Sequence, residues 1–73
     1  MSGYIVESRV SPAFRWRPVT ARPHGEPFPF DPTTRVLTFD THEAAENAAT
    51  MIRRANAGEY RVNAWDDDEG RPA

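Results

Sequence analysis

The sequence predicts a single small α+β domain: a mostly antiparallel four-stranded sheet with one helix packed on one face, in the order β-β-β-α-β. Three observations predict it. Short segments alternate apolar and polar side chains with a period of two. One stretch between Asp40 and Gly58 instead repeats its small apolar residues at helical spacing. Seventy-three residues leave room for one thin core and no second domain. The domain is expected over residues 1–65, with a proline-rich strap at 18–34 and an acidic, disordered tail at 66–73.

Tyr4 to Val10 reads as the first strand, with Tyr4, Val6, Ser8 and Val10 on one face and Ile5, Glu7 and Arg9 on the other. Ser11-Pro12-Ala13 supplies a turn, and Phe14 to Thr20 a second strand that closes a hairpin. Phe14 and Trp16 point one way along it, Arg15 and Arg17 the other. Pro18 cannot donate a ladder hydrogen bond, so this strand belongs at an edge, bulges or stops there.

Between Pro18 and Thr34, five of seventeen residues are proline. Each fixes its own φ and pushes its predecessor toward extended geometry, which makes a stiff connection. Phe28 and Phe30 alternate with Pro27 and Pro29, and either close one end of the core or form a ligand segment for a partner.

Arg35 to Phe39 is the third strand, with Leu37 and Phe39 inward. Asp40 before Thr-His-Glu reads as a helix N-cap with Glu43 at the third helical position, a capping box. The helix continues to Asn56 or Ala57, and Gly58 suits a left-handed closing position. Ala45, Ala48, Ala49 and Ile52 form its buried stripe, so the helix can approach the sheet closely. Glu59 to Trp65 is the last strand, with Tyr60, Val62 and Ala64 inward and Arg61, Asn63 and Trp65 outward. The third and last strands run parallel if adjacent; the strand order is open.

Composition restricts function. There is no cysteine, which removes disulfides, cysteine–zinc sites and thiol nucleophiles together. No apolar run is long enough for a membrane span, and the first residues lack a signal-peptide pattern, so a cytoplasmic setting is expected. His24 and His42 are the only histidines, and neither sits in a nucleophile–base or metal-ligand spacing. The four glycines form no phosphate loop. Hence no catalytic, metal-binding or cofactor-binding residue is expected, and the protein is not expected to be an enzyme.

The sheet face opposite the helix carries the functional expectation. Alternation places Arg9, Arg15, Arg17 and Arg61 there with Ile5, Val19, Val36, Asn63 and Trp65, and Glu7 as its one acid. Arginine and tryptophan are enriched in binding hot spots, and arginine supplies all nine of the cations. The face is either solvated, a dimer contact or a surface for another macromolecule. The run Asp66, Asp67, Asp68, Glu69 is either a solubilising tail or a set of carboxylates for a basic groove. Residues 1–39 hold five arginines and three acids, residues 40–73 four arginines and eight acids, so the net charge of −2 is unevenly spread.

The stretch from Phe39 to Val62, of the shape FDTxxxAxxxA…I…N…YRV, resembles a strand–capped helix–strand segment found in small proteins of GC-rich bacteria and their phages. In size, compactness and charge asymmetry the chain also resembles phage-encoded anti-CRISPR proteins that block type I interference complexes. That resemblance implies a non-enzymatic inhibitor occupying the surface where an effector complex engages target DNA, and no functional residue carries over with it. The expectation is therefore a protein-binding inhibitor, monomer or homodimer, using Arg9, Arg15, Arg17, Arg61, Asn63 and Trp65, helped by Asp66 to Glu69. The alternative is a single-stranded nucleic-acid or accessory DNA-binding module on the same face.

Overall fold

The computed structural model describes residues 2–21, 27–28, 36–66 and 71–72. Its centre is an antiparallel ribbon of two eight-residue strands, β1 (Ser2–Arg9) and β6 (Glu59–Asp66). They pair along their whole length, from Ser2 opposite Asp66 to Arg9 opposite Glu59. The other edge of β1 is shared: β2 (Arg17–Pro18) pairs at its C-terminal half and β5 (Thr38–Phe39) at its N-terminal half. A two-stranded ribbon of β3 (Thr20–Ala21) and β4 (Pro27–Phe28) opens the proline strap, and β7 (Arg71–Pro72) pairs with the end of β6. The fold is α+β, as the alternation and the helical repeat predict.

Helix α1 (His42–Ala55) packs on the sheet through Ala45, Ala48, Ala49 and Ile52. These meet Val6, Val19 and Tyr60, with Tyr4, Phe39 and Val62 at the rim. Alanine methyls let the helix axis come close to the strands, and the face they cover is the even-numbered face of β1 and β6. The third and last predicted strands, β5 and β6, are not neighbours. Both run antiparallel to β1, which lies between them, so β5–α1–β6 is a crossover that spans a strand.

Several boundaries differ from expectation. The N-cap is Thr41, extended at φ −129° and ψ 154°, whose Oγ1 accepts from the Ala44 amide at 3.1 Å. Asp40 and Thr41 are both competent caps. With Thr41 in the position, Glu43 becomes the second helical residue and no capping box forms. The helix ends at Ala55, and Asn56 returns its amide to the Ile52 carbonyl at 2.9 Å. Gly58 has φ 131° and lies against the Arg9 carbonyl, where a Cβ would approach to 2.9 Å. It makes the tight entry into β6 that a larger residue would block. Gly3 similarly lets β5 lie alongside β1, since a Cβ there would sit 2.8 Å from the Phe39 carbonyl oxygen.

The second predicted strand is shorter and differently registered. A turn confined to Ser11–Ala13 would pair Val10 with Phe14. Instead Ser11 to Phe14 form a hydrogen-bonded turn, the Phe14 amide donating to the Ser11 carbonyl at 3.0 Å. Pairing begins at Ser8 opposite Arg17 and Glu7 opposite Pro18, and continues with the Val19 amide on the Val6 carbonyl at 2.8 Å. One residue of slip exchanges the two faces of a strand. Val19 therefore enters the core, fully buried, instead of lying on the far face. Of the third predicted strand, Val36 forms only a bridge to Thr20. Within the expected tail, Arg71 and Pro72 pair with the end of β6. The rest of the strap, with Phe30 and His24, and the tail residues Asp67, Asp68 and Glu69 lie outside the described residues.

Candidate interaction surface

The face of β1 and β6 turned from the helix presents four cross-strand pairs: Gly3–Trp65, Ile5–Asn63, Glu7–Arg61 and Arg9–Glu59. Opposite charges directly across an antiparallel pair attract, each such pair contributing roughly 0.2–1 kcal/mol. Here the attraction is realised. Arg61 Nε donates to Glu7 Oε1 at 2.9 Å, and Asn63 Nδ2 reaches the same oxygen at 3.2 Å. Arg9 donates to Glu59 Oε1 from Nε at 2.9 Å and from Nη2 at 2.7 Å. Glu7 is only 5% exposed, and its carboxylate is held by these neighbours. Asn63 Oδ1 also accepts the Ala64 amide at 3.0 Å.

Trp16 joins the two pairs. The guanidinium carbons of Arg9 and Arg61 each lie 4.3 Å from the centroid of its ring, within cation–π range. The chain Glu59–Arg9–Trp16–Arg61–Glu7–Asn63 is thus one continuous polar lattice, with two cations balanced by two anions. Sequence reading did not place Trp16 here; the hairpin register that carries it to this face becomes visible only with the turn.

The predicted docking face is corrected accordingly. Arg9, Arg61, Asn63 and Trp65 do lie on it. Arg9 and Arg61 are engaged with Glu59 and Glu7, and Asn63 with Glu7. Trp65 is 8% exposed, so the indole is interior and does not project into water. Ile5 beside it is fully buried. Arg17 stands opposite Ser8, on the helix-side parity of the sheet, and Arg15 lies just beyond the ladder in the hairpin tip. Both are exposed, and among the described residues neither pairs with a carboxylate. They share that tip with Val10 and Phe14, each 58% exposed. Asp66 sits at the opposite end of the ribbon, paired in the ladder with Ser2 and Arg71.

Two further features adjoin the helix. An apolar groove of about 400 Å³ runs between Leu37, Phe39 and Pro27 on one side and Ala44, Asn47, Ala48 and Met51 on the other. It continues toward Ala55 and Asn56. His42 opens the helix, exposed, its Nε2 3.6 Å from Glu46 Oε1 and its ring edge-on to Tyr4 at 5.5 Å between centroids. At the other end of the helix the Tyr60 hydroxyl bridges the Asn56 and Ala57 carbonyls at 3.2 and 3.3 Å. Burial raises its pKa above the ordinary phenol value, partly offset by the positive charge of Arg53.

Among the described residues charge is unevenly spread along the ribbon, although Arg71 pairs in the ladder with Asp66 at one end and Glu59 with Arg9 at the other. The helix starts beside Tyr4 and ends beside Arg9, as the His42 and Gly58 contacts establish. Arg53 and Arg54 in its last turn therefore join Arg15 and Arg17 at the hairpin end. Asp40, Glu43 and Glu46 join Asp66 at the other. Eight strand residues separate the two ends by roughly 23 Å. Compared with models of known protein families, with curated proteins and with solved structures, the chain matches none of them.

Proposed function

We propose that this protein is a non-enzymatic, stoichiometric binder of another macromolecule. Its most concrete form is a phage-encoded inhibitor of the anti-CRISPR kind that blocks target-DNA engagement by a type I effector complex. The observation that carries this reading is the uneven charge of the described residues: Asp40, Glu43, Glu46 and Asp66 at one end, where Arg71 is the one cation, and Arg15, Arg17, Arg53 and Arg54 at the other, where Glu59 is held by Arg9. Such a dipole orients the protein on a partner that presents both signs, and its acidic end suits the basic surface over which DNA would pass.

The test is displacement. Target duplex is incubated with purified type I effector complexes and increasing amounts of this protein, and DNA binding is read by mobility shift. Loss of the shifted band near equimolar protein, weakening as salt rises, is expected with at least one complex. Undiminished DNA binding at large protein excess across the panel would contradict the anti-CRISPR form.

A nucleic-acid module is the second reading, favoured by the exposed cations Arg15 and Arg17, which pair with no carboxylate among the described residues. Single-strand binding also needs aromatic platforms. Trp16 is occupied by two guanidinium groups and Trp65 is interior, so neither indole is presented to a base. Retardation of labelled oligonucleotides by micromolar protein at low salt would favour this second reading.

A further inference from the structure

We infer that the tip of the β1–β2 hairpin, formed by Val10, Phe14, Arg15 and Arg17, docks an acidic protein segment that also offers an apolar side chain. The inference rests on the binding reading above and gives it a contact surface. Val10 and Phe14 each leave 58% of their surface in water, on either side of the turn that the Phe14 amide closes on the Ser11 carbonyl. Arg15 and Arg17 flank them, both exposed and, among the described residues, without a carboxylate partner.

The two arginines of the sheet face behave differently. Arg9 and Arg61 hold Trp16 between the Glu59 and Glu7 pairs, which fixes the strand that carries the tip. The 3.0 Å turn bond from Phe14 to Ser11 fixes the tip itself. An aromatic side chain and two guanidiniums on a pre-ordered support need little ordering on association, and these residue types dominate binding hot spots. The cations select carboxylates, while Phe14 and Val10 select an aliphatic or aromatic neighbour among them.

The test pans a random peptide library displayed on filamentous phage against three immobilised proteins: wild type, Phe14→Ala, and the double variant Arg15→Glu/Arg17→Glu. All three substituted positions are exposed, so matching circular dichroism and thermal midpoints certify the folds. Wild type is expected to enrich peptides rich in Asp and Glu around one apolar residue. Synthetic versions should bind about tenfold or more weakly to either variant. Enriched peptides without acidic bias, or affinity unchanged in both variants, would overturn the tip while the displacement assay still upheld binding. Enrichment of no peptide would also overturn the tip. Oligonucleotide retardation abolished by Arg15→Glu/Arg17→Glu would reassign it to phosphate and overturn the protein-segment inference. Failure of the displacement assay with peptide capture intact would count against the inhibitor reading alone.

Discussion

The two faces of the β1–β6 ribbon are built from alternate residues of the same sixteen positions, yet they are filled by opposite chemistry. On the helix side Val6, Tyr60 and Val62 meet alanines and Ile52, and contact is apolar. On the far side Arg9 and Arg61, stacked on Trp16, neutralise Glu59 and Glu7, and Asn63 donates to Glu7. Both faces nevertheless bury side chains: Val6 and Ile5, neighbours on opposite faces, are each fully inaccessible. Alternation therefore reports which way a side chain points, and exposure depends on what lies above it. In a domain of this size, a charged lattice on one face lets both sides of a two-strand ribbon contribute to stability.

Substitutions can break either side of that comparison. The largest effect is expected from Trp65→Ala, about 3 kcal/mol or more, because the indole is interior on the supposedly open face. Chemical denaturation reads it directly; a loss below about 1 kcal/mol would return the indole to solvent. Ile52→Ala, which removes the one large aliphatic side chain of the helix stripe, should cost about 2–3 kcal/mol in the same assay. Glu7→Ala comes next. It leaves Arg61 and Asn63 without their shared acceptor, and since Arg61 is half exposed the loss should be about 1–2 kcal/mol.

Tyr60→Phe should cost about 1 kcal/mol by removing the donor to Asn56 and Ala57. This residue also predicts a pH dependence. Its folded pKa is raised, so its contribution is complete below the unfolded value of 10.0 and lost as pH rises through the folded value above it. Thermal midpoints of wild type should fall more steeply than those of Tyr60→Phe across that alkaline range; equal slopes would contradict the assignment.

Much of this architecture is legible in the sequence. The stripe Ala45, Ala48, Ala49, Ile52 and the inward set Tyr60, Val62 occur where helical and strand periods place them, because each period is imposed by local backbone geometry. The hairpin was not legible to the same degree. Whether Phe14 joins the ladder or closes the turn decides the facing of Trp16, Arg17 and Val19, and both arrangements satisfy the local turn preferences of Ser-Pro-Ala. Val19 entering the core beneath the helix settles the register by a tertiary contact. Likewise Asp40 and Thr41 compete for one cap, and the sequence pattern serves either.

On the sheet face the direction of the cations was legible, and the groups that engage them were not. The cations Arg9 and Arg61 face away from the helix as alternation requires, but their cross-strand carboxylates become visible only once β6 is known to pair with β1. Charge asymmetry along the chain also reads differently in space. Because β1 and β6 run antiparallel, Arg53 and Arg54 from the acidic half of the sequence arrive at the same end as Arg15 and Arg17. Among the described residues, the cations of the basic end without a carboxylate partner are thus those of the hairpin tip and the last helical turn, while Arg9 and Arg61 on the sheet face are each paired with a glutamate.

The division between engaged and available arginines is tested most directly by urea denaturation of two double variants, Arg9→Ala/Arg61→Ala and Arg15→Ala/Arg17→Ala. The account predicts that the first loses about 2 kcal/mol through its ion pairs and its contacts with Trp16. The second should stay within about 0.5 kcal/mol of wild type. Equal losses in the two variants, or a larger loss in the second, would contradict it.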